Sequence, residues 1–311
     1  MHCERSNQEV VTETIFSTDY RHSSVSVVIP VHNEERAIAS LVDRVILVLK
    51  GLERQWEVIV VDDGSTDGTL RELHGREIKL VAHPYNIGNG AAIKTGIRQT
   101  SGEIIVTMDG DGQHDPMDFP RLLEPIGPYD MVVGSRLNPF AHNKHRALAN
   151  KFYNLFASYV THFPVQDLTS GFRAIKARIL KRYVYLLPNT FSYPATLTLS
   201  LLRSGHSLKY QSIQTQPRKG QSKIKLATDG FRFVMIIFKI ATIFSPLKIF
   251  IPISVLFFFL GALNYAYTYW TQYRFTTMSG LLFTAGFLFF LLGLLSEQIA
   301  QLRFEQSEEF D

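Results

Sequence analysis

Cysteine is almost absent from this 311-residue chain, where Cys3 stands alone. A single cysteine excludes an internal disulfide framework and a cysteine-built zinc site. Strong charge imbalance is missing too. The net charge of +4 comes with no basic stripe interleaved with aromatics, which argues against nucleic acid as a partner. Met1 to Ser23 lacks the apolar core of a secretory signal and reads as a loose polar tail. The most informative absence is charge itself, from Ile249 to Tyr273 and again from Phe275 to Ser296. Each run exceeds the roughly 20 residues that cross a bilayer, which argues against a purely soluble protein. With 46% hydrophobic residues, the chain is also not a disordered one.

Between these extremes lies an α/β pattern. Val25 to Pro30, Glu57 to Val61, Lys79 to Ala82, Glu103 to Met108 and Asp130 to Val133 read as strands, and Leu208 to Gln214 as a late one. Ala37 to Lys50 has helical periodicity, with Ile38, Leu41, Val42, Val45 and Leu49 on one face. Ala91 to Gln99, Leu148 to Val160 and Tyr193 to Ser204 read as further helices. Strands alternating with helices predict a mostly parallel sheet covered on both faces. Ligands then sit beyond the carboxyl ends of the strands.

Towards the C-terminus, Thr228 to Ile243 carries an apolar face with Arg232 and Lys239 between, as an interfacial helix does; an ordinary core helix has the same pattern. The two uncharged runs then form a hairpin around Arg274, with Tyr265, Tyr267, Tyr269 and Trp270 as an aromatic belt. Basic residues crowd the near side and only Arg274 marks the far loop, so both termini and the α/β domain are expected in the cytoplasm. The expected boundaries are a tail over 1–23, an α/β domain over 24–225, an amphipathic helix over 226–245, two spans over 246–299 and a tail over 300–311. The spans lack the ionisable residue of an ion pathway. Gly280, Gly286 and Gly293 would permit close helix packing, and Asn264 reads either as a bond between helices of a homo-oligomer or as a lone amide tolerated near a membrane end.

Three clusters carry chemistry. Asp109-Gly110-Asp111-Gly112-Gln113-His114 ends an apolar strand and enters a glycine-rich turn. Two carboxylates so spaced can address one hard divalent cation, Mg2+ or Mn2+, that shares its shell with phosphate oxygens; an acidic turn capping the next helix presents the same residues. His114 reads as a structural neighbour. In Asp62-Asp63-Gly64-Ser65-Thr66-Asp67-Gly68-Thr69, Asp62 ends a strand where carboxylates bind bases or riboses. Ser65, Asp67 and Thr69 fit turn and cap chemistry. Asn86-Ile87-Gly88-Asn89-Gly90 departs from the dinucleotide fingerprint, because Ile93 occupies the third glycine position. It reads as a turn shaping a pocket.

VVIPVHNEE, VVDDGSTDGT, NIGNG, MDGDGQHDP, GSR and DLTSGFRA follow one another in the order and spacing of glycosyltransferase family 2. The resemblance covers roughly Val25 to Lys225, and with the C-terminal hairpin the chain is similar to the polyprenyl-phosphate (dolichyl-phosphate) glycosyltransferases. It implies the GT-A fold and inverting transfer of a sugar from a nucleotide sugar, UDP- or GDP-linked, to the phosphate of a membrane polyprenol. By position it implies Pro30, His32, Glu34 and Asp62 around the base and ribose. It implies Asp109, Asp111 and Gln113 as metal ligands, Arg218 and Lys223 over the donor diphosphate, and Arg136, Arg146 and Ser170 for the acceptor phosphate. His32 stands where some mannosyl members have Tyr, which leaves base and sugar open. Arg173 is expected to be structural.

The chemistry agrees with the resemblance. A lipid phosphate is already anionic and attacks without a strong general base, so alignment and charge neutralisation are what the protein must supply. Arginine forks suit that task. A processive synthase of the same fold would carry Q-x-x-R-W, and the only tryptophans, Trp56 and Trp270, lie outside such a context. A non-catalytic scaffold would not need Asp109, Asp111, Gln113 and the arginines together.

Overall fold

The computed structural model describes residues 20–136, 144–190, 192–213, 242 and 245–308, with side chains of 144–150, 152, 160 and 303–308 left aside. The expected interfacial helix over 228–243 falls almost entirely outside the described residues. The chain divides into two compact units, Met1–Lys223 and Ile224–Asp311.

The first unit is built on a seven-stranded sheet. Its strands are β1 (Val25–Val31), β2 (Trp56–Asp62), β3 (Lys79–Ala82), β4 (Ile104–Thr107), β5 (Met131–Arg136), β6 (Arg173–Lys176) and β7 (Leu208–Ile213). They lie in the order β3-β2-β1-β4-β6-β5-β7. All neighbours pair parallel except β6, which runs antiparallel to both β4 and β5. Helices α1 (Ile38–Lys50), α2 (Thr69–Leu73), α3 (Asn89–Arg98), α4 (Phe119–Leu123), α5 (Lys144–Thr161), α6 (Ala177–Tyr183) and α7 (Tyr193–Arg203) complete the unit.

The central strands are apolar throughout because both faces of the sheet are covered. Val27, Ile29, Val58 and Val60 pack with the α1 face of Ile38, Leu41, Val42, Val45 and Leu49. Val28, Ile59 and Val61 point the other way, to Ile93 and Ile97 of α3 and Leu197 and Leu201 of α7. Each such side chain, fully buried, contributes about 1.5–3 kcal/mol. The helical period of α1 is therefore enough to name its buried face.

β6 is absent from the sequence pattern for a physical reason. Its four residues, Arg-Ala-Ile-Lys, are all buried although two are basic. Lys176 Nζ donates to Asp130 Oδ1 (2.8 Å) and to the Gly127 carbonyl (2.8 Å). Arg173 is equally satisfied, as described below. Paired burial of charge hides a strand from a hydrophobicity pattern.

In the second unit α8 (Leu247–Gln272) and α9 (Thr277–Glu308) form an antiparallel hairpin. Leu247–Gln272 and Thr277–Leu302 are long and apolar enough to cross a membrane, and only 11% and 17% of their apolar windows are buried. Such exposed apolar surface suits lipid rather than water. Helix α9 continues through the expected tail to Glu308. Of the glycines expected at helix contacts, Gly286 packs on Phe258 and Gly293 on Phe250 of the same chain, while Gly280 faces Phe275. Ser254 Oγ donates across the hairpin to the Gly286 carbonyl (2.7 Å). Asn264 turns inward as well: its Oδ1 accepts from Thr276 Oγ1 (3.2 Å) and Ser279 Oγ (2.9 Å). The Asn264 amide oxygen thus closes the hairpin turn within the chain.

Candidate active site

The carboxyl ends of β1, β2, β4 and β5 share one rim. Because β6 is antiparallel, its amino end joins them, and the Asp167–Phe172 segment leading into it runs along that rim. Pairing of Thr107 on β4 and Val133 on β5 with Arg173 fixes the alignment.

Asp109, Gly110 and Asp111 follow β4. Gly110 lies flat on β1: a Cβ there would stand 2.6 Å from Val31 Cγ1 and 2.8 Å from the Pro30 carbonyl oxygen. Only glycine lets the acidic turn approach β1 so closely. Asp111 Oδ1 accepts the Gln113 backbone N–H (3.1 Å), which closes the turn. On the other side, Gly171 meets Asp109. A Cβ at 171 would sit 2.6 Å from Asp109 Oδ2 and 2.8 Å from Oδ1. Two carboxylates and one amide oxygen are the hard donors that Mg2+ or Mn2+ takes, and that cation completes its shell with water and phosphate oxygens. Among the described residues no group of three or more His, Cys, Asp or Glu is placed to hold a metal ion. Asp109, Asp111 and Gln113 could hold such a cation only together with water or phosphate oxygens.

The acidic loop after β2 has two different jobs. Asp62 is 1% exposed and accepts from the Ser65 N–H (3.0 Å) and the Ser65 hydroxyl. Asp63 fixes the Asn86–Gly90 turn: its carboxylate accepts from the N–H groups of Ile87 (2.9 Å) and Gly88 (2.8 Å) and bonds His83 Nδ1 (2.8 Å). Burial would raise the Asp63 pKa, but these partners hold it below the usual carboxylate range. The sequence pattern points to Asp62 and misses Asp63; the doubled aspartate at a strand end is the available signal. Ser65, Asp67 and Thr69 serve as turn residues that also clamp the β1 loop. Asn33 N–H donates to Ser65 Oγ (2.9 Å), Glu34 N–H to Thr69 Oγ1 (2.9 Å) and Glu35 N–H to Asp67 Oδ2 (3.3 Å). Pro30, half-buried His32 and half-buried Glu34 are thereby placed beside Asp62.

Arg136, at the end of β5, meets Asp167 as a two-pronged fork. Nε donates to Oδ2 (2.7 Å) and Nη2 to Oδ1 (2.9 Å), with a further bond from Nη2 to Thr169 Oγ1 (2.6 Å). Burial alone would lower the arginine pKa, but Asp167, Asp109 and Asp111 together raise it. Asp167 moves down for the reciprocal reason: burial is outweighed by Arg136 and by the N–H groups of Thr169 and Arg136. Ser170 is 1% exposed in this arrangement, with its N–H on Asp167 Oδ1 (3.1 Å).

Beneath this loop Arg173 is fully buried. It donates from Nε to the Ser170 carbonyl (2.6 Å), from Nη2 to the Leu168 carbonyl (3.2 Å) and from Nη1 to Thr198 Oγ1 (2.7 Å). It braces the loop, in the structural role expected. His114, 4% exposed, stacks on Phe172 at 5.2 Å. Burial pulls its pKa down to about 4, so it is neutral at pH 7.

The structure thus brings Asp109, Asp111, Gln113, Arg136 and Ser170 to one side of the rim and Pro30, His32, Glu34 and Asp62 to the other. Arg146 lies on the first turn of α5, and its side chain is outside the described residues. Arg218 and Lys223 are outside them altogether.

Comparison with known proteins agrees with this geometry. Residues 26–184 match glycosyl transferase family 2, and residues 245–302 match the GtrB C-terminal hairpin. Dodecaprenyl-phosphate galacturonate synthase of Rhizobium johnstonii is 34% identical over 166 residues, 51% of this chain and 49% of that protein. Undecaprenyl-phosphate 4-deoxy-4-formamido-L-arabinose transferase of Proteus mirabilis is 31% identical over 191 residues, 57% of this chain and 59% of that protein. The chain therefore spans about half to three-fifths of these two curated relatives. The corresponding transferase of Yersinia pestis is 30% identical over 276 residues, covering 76% of this chain and 84% of that protein. Among solved structures, glucosyl-3-phosphoglycerate synthase from Mycobacterium tuberculosis in complex with Mn2+, uridine diphosphate and glucosyl-3-phosphoglycerate shares the fold. Its TM-score is 0.58 at 20% identity, over 70% of this chain and 80% of that one. The parallel core interrupted by one antiparallel strand is the GT-A arrangement, the hairpin associates with membrane, and the chain belongs to glycosyl transferase family 2.

Proposed function

We propose that this chain transfers a sugar, with inversion, from a nucleotide-diphosphate donor to the phosphate of a membrane polyprenol on the cytoplasmic face. The observation that supports it most directly is the loop over 167–171, which forks Arg136 at Asp167 and lies against the Asp109 carboxylate at Gly171, in a chain that also carries an apolar hairpin. The named relatives act on dodecaprenyl and undecaprenyl phosphates.

In this reading Asp109, Asp111 and Gln113 hold Mg2+ or Mn2+, which supplies charge neutralisation for the departing diphosphate. Pro30, His32, Glu34 and Asp62 orient the nucleoside, and Arg218 and Lys223 neutralise the diphosphate. Arg136, aligned by Asp167, offers the acceptor phosphate a fixed cation, with Arg146 and Ser170 nearby. Alignment and neutralisation then do what a general base does in other transferases.

Purified chain in detergent with divalent metal is expected to move labelled sugar from a UDP- or GDP-sugar to a short polyprenyl phosphate. A screen in which no nucleotide sugar is consumed would refute the reading. Asp111→Ala should slow transfer about 10- to 100-fold, because Asp109 and Gln113 still contact the cation; an unchanged rate would remove Asp111 from the metal site. Arg136→Ala should raise the KM for acceptor more than that for donor. Equal losses would undo its acceptor role.

A further inference from the structure

His83 follows β3 and joins three elements. Its backbone N–H donates to the Asp62 carbonyl at the end of β2 (2.8 Å). Its Nδ1 bonds Asp63 Oδ1 (2.8 Å), and its Nε2 bonds Thr95 Oγ1 on α3 (3.0 Å). The side chains of His83 and Asp63 are only 9% and 4% exposed. Asp63 is ionised at neutral pH, since its pKa lies below the usual carboxylate range. An ionised carboxylate only accepts, so Nδ1 carries the proton in this bond. With His83, Ile87 and Gly88 as its donors, the Asp63 carboxylate is committed to protein and acts on a ligand through the turn it holds.

That turn borders the nucleoside side of the rim. Gly64 has a φ of +68°, and a Cβ there would stand 2.5 Å from the Tyr85 carbonyl carbon and 2.7 Å from the Asn86 nitrogen. The chain over 85–90 therefore lies against the Asp62–Ser65 turn, with Tyr85 and Ile87 exposed. Strands β3, β2, β1 and β4 are successive neighbours and all parallel. At about 4.8 Å per strand, the end of β3 is roughly 14 Å from that of β4, which carries Asp109 and Asp111. A nucleoside diphosphate laid along this rim, with its diphosphate at the acidic turn and its ribose at Asp62, brings its base to the ends of β2 and β3.

We propose that His83 is a positioning residue for the nucleobase: through Asp63 it fixes the turn over 86–90 as one wall of the base end of the donor site. The inference rests on the nucleotide-sugar reading given above and goes beyond it, because it separates the group that sets base affinity from those that hold metal and acceptor. The Thr95 hydroxyl anchors the far side of the imidazole, so the ring carries the rigidity of α3 to the turn.

The test is calorimetric titration of the full chain in detergent with UDP and GDP in the presence of Mn2+, and with Mn2+ alone. His83→Ala should weaken binding of whichever nucleotide the parent takes by about tenfold, the effect of losing a hydrogen bond to a charged group, and leave the affinity for Mn2+ alone unchanged. His83→Asn, whose short amide reaches Asp63 as Nδ1 does, should recover most of the affinity. His83→Gln, whose longer amide reaches Thr95 as Nε2 does, should not. Where His83→Ala fails to fold, these two variants carry the test: the asparagine form should bind nucleotide at least about fivefold more tightly than the glutamine form. Equal affinity in those two overturns the proposal, as does parent affinity in His83→Ala. Weakening of Mn2+ alone also overturns it, because the damage then reaches the whole rim. A parent that binds neither nucleotide overturns the nucleotide-sugar reading and this inference together, whereas a parent that binds nucleotide but transfers no sugar leaves the role of His83 standing.

Discussion

Asp167→Ala should abolish transfer and remove about 3 kcal/mol of stability, the lower end of what breaking a buried ion pair costs. The two side chains are only 16% (Arg136) and 3% (Asp167) exposed, so solvent cannot replace the lost fork. The same carboxylate accepts the N–H groups of Thr169 and Ser170, which would lose their acceptor as well. The whole loop over 167–171 loosens, and with it the alignment of Arg136. Replacing both partners, Arg136→Leu with Asp167→Leu, should recover most of the stability and none of the activity, because an apolar pair relieves burial but holds no phosphate. Thermal unfolding of the full chain in detergent, alongside a transfer assay, measures both. Unfolding of Asp167→Ala at the parent temperature would show that the pair carries no stability.

The pH dependence of this pair has a definite sign. Arg136 and the loop N–H groups hold the Asp167 pKa below its ordinary value. A depressed aspartate stabilises the fold above its unfolded pKa, about 3.9, and that stabilisation is lost as pH falls through the lower folded value. The parent should therefore show a steep acid limb below about pH 4 that is shallower in Asp167→Ala. Identical acid limbs in the two proteins would contradict the assignment.

Gly171→Ala should reduce transfer about 100- to 1,000-fold with little change in unfolding temperature, since a displacement of about 1 Å at a reacting centre is enough for such losses. The added methyl group would stand 2.6 Å from Asp109 Oδ2, closer than atoms pack. Asp109 yields more easily than the loop, which Arg173 braces through the Leu168 and Ser170 carbonyls. The carboxylate is pushed off the position it shares with Asp111. Metal titration should show weakened Mn2+ affinity, and Gly51→Ala, whose Cβ meets the Val48 and Leu47 carbonyl oxygens at an ordinary 3.4 and 3.9 Å, should leave both properties intact. Wild-type Mn2+ affinity in Gly171→Ala would mean that Asp109 does not reach the cation.

Much of this site is legible in the order of residues alone, because its signals are local. A run of β-branched residues ending in acids and glycines names a strand and its rim, and parallel strands with their carboxyl ends aligned put Asp62 and Asp109 together. The Gly110 spacer is visible in the motif, although its reason, contact with Pro30 and Val31, is not. Two uncharged runs, each longer than a bilayer requires, need no distant partner to be recognised as a hairpin.

What tertiary structure alone decided is set by pairings far apart in sequence. β6 escapes the hydrophobic pattern because its basic residues are satisfied in part by Thr198, Asp130 and the Gly127 carbonyl, which are distant in the chain. Only its antiparallel insertion between β4 and β5 carries Asp167 to Arg136, 31 residues away, and lays Gly171 on Asp109. Asp63 reaches the Asn86–Gly90 turn across 24 and 25 residues, a role that no local pattern distinguishes from that of its neighbour Asp62. Asn264 finds Thr276 and Ser279 across the hairpin turn. Hydrophobic period and turn chemistry act within a few residues, so the sequence by itself determined most of the strands and longer helices, the family and the rim. Satisfying buried charge is a long-range condition, and it decided which groups on that rim hold one another in place.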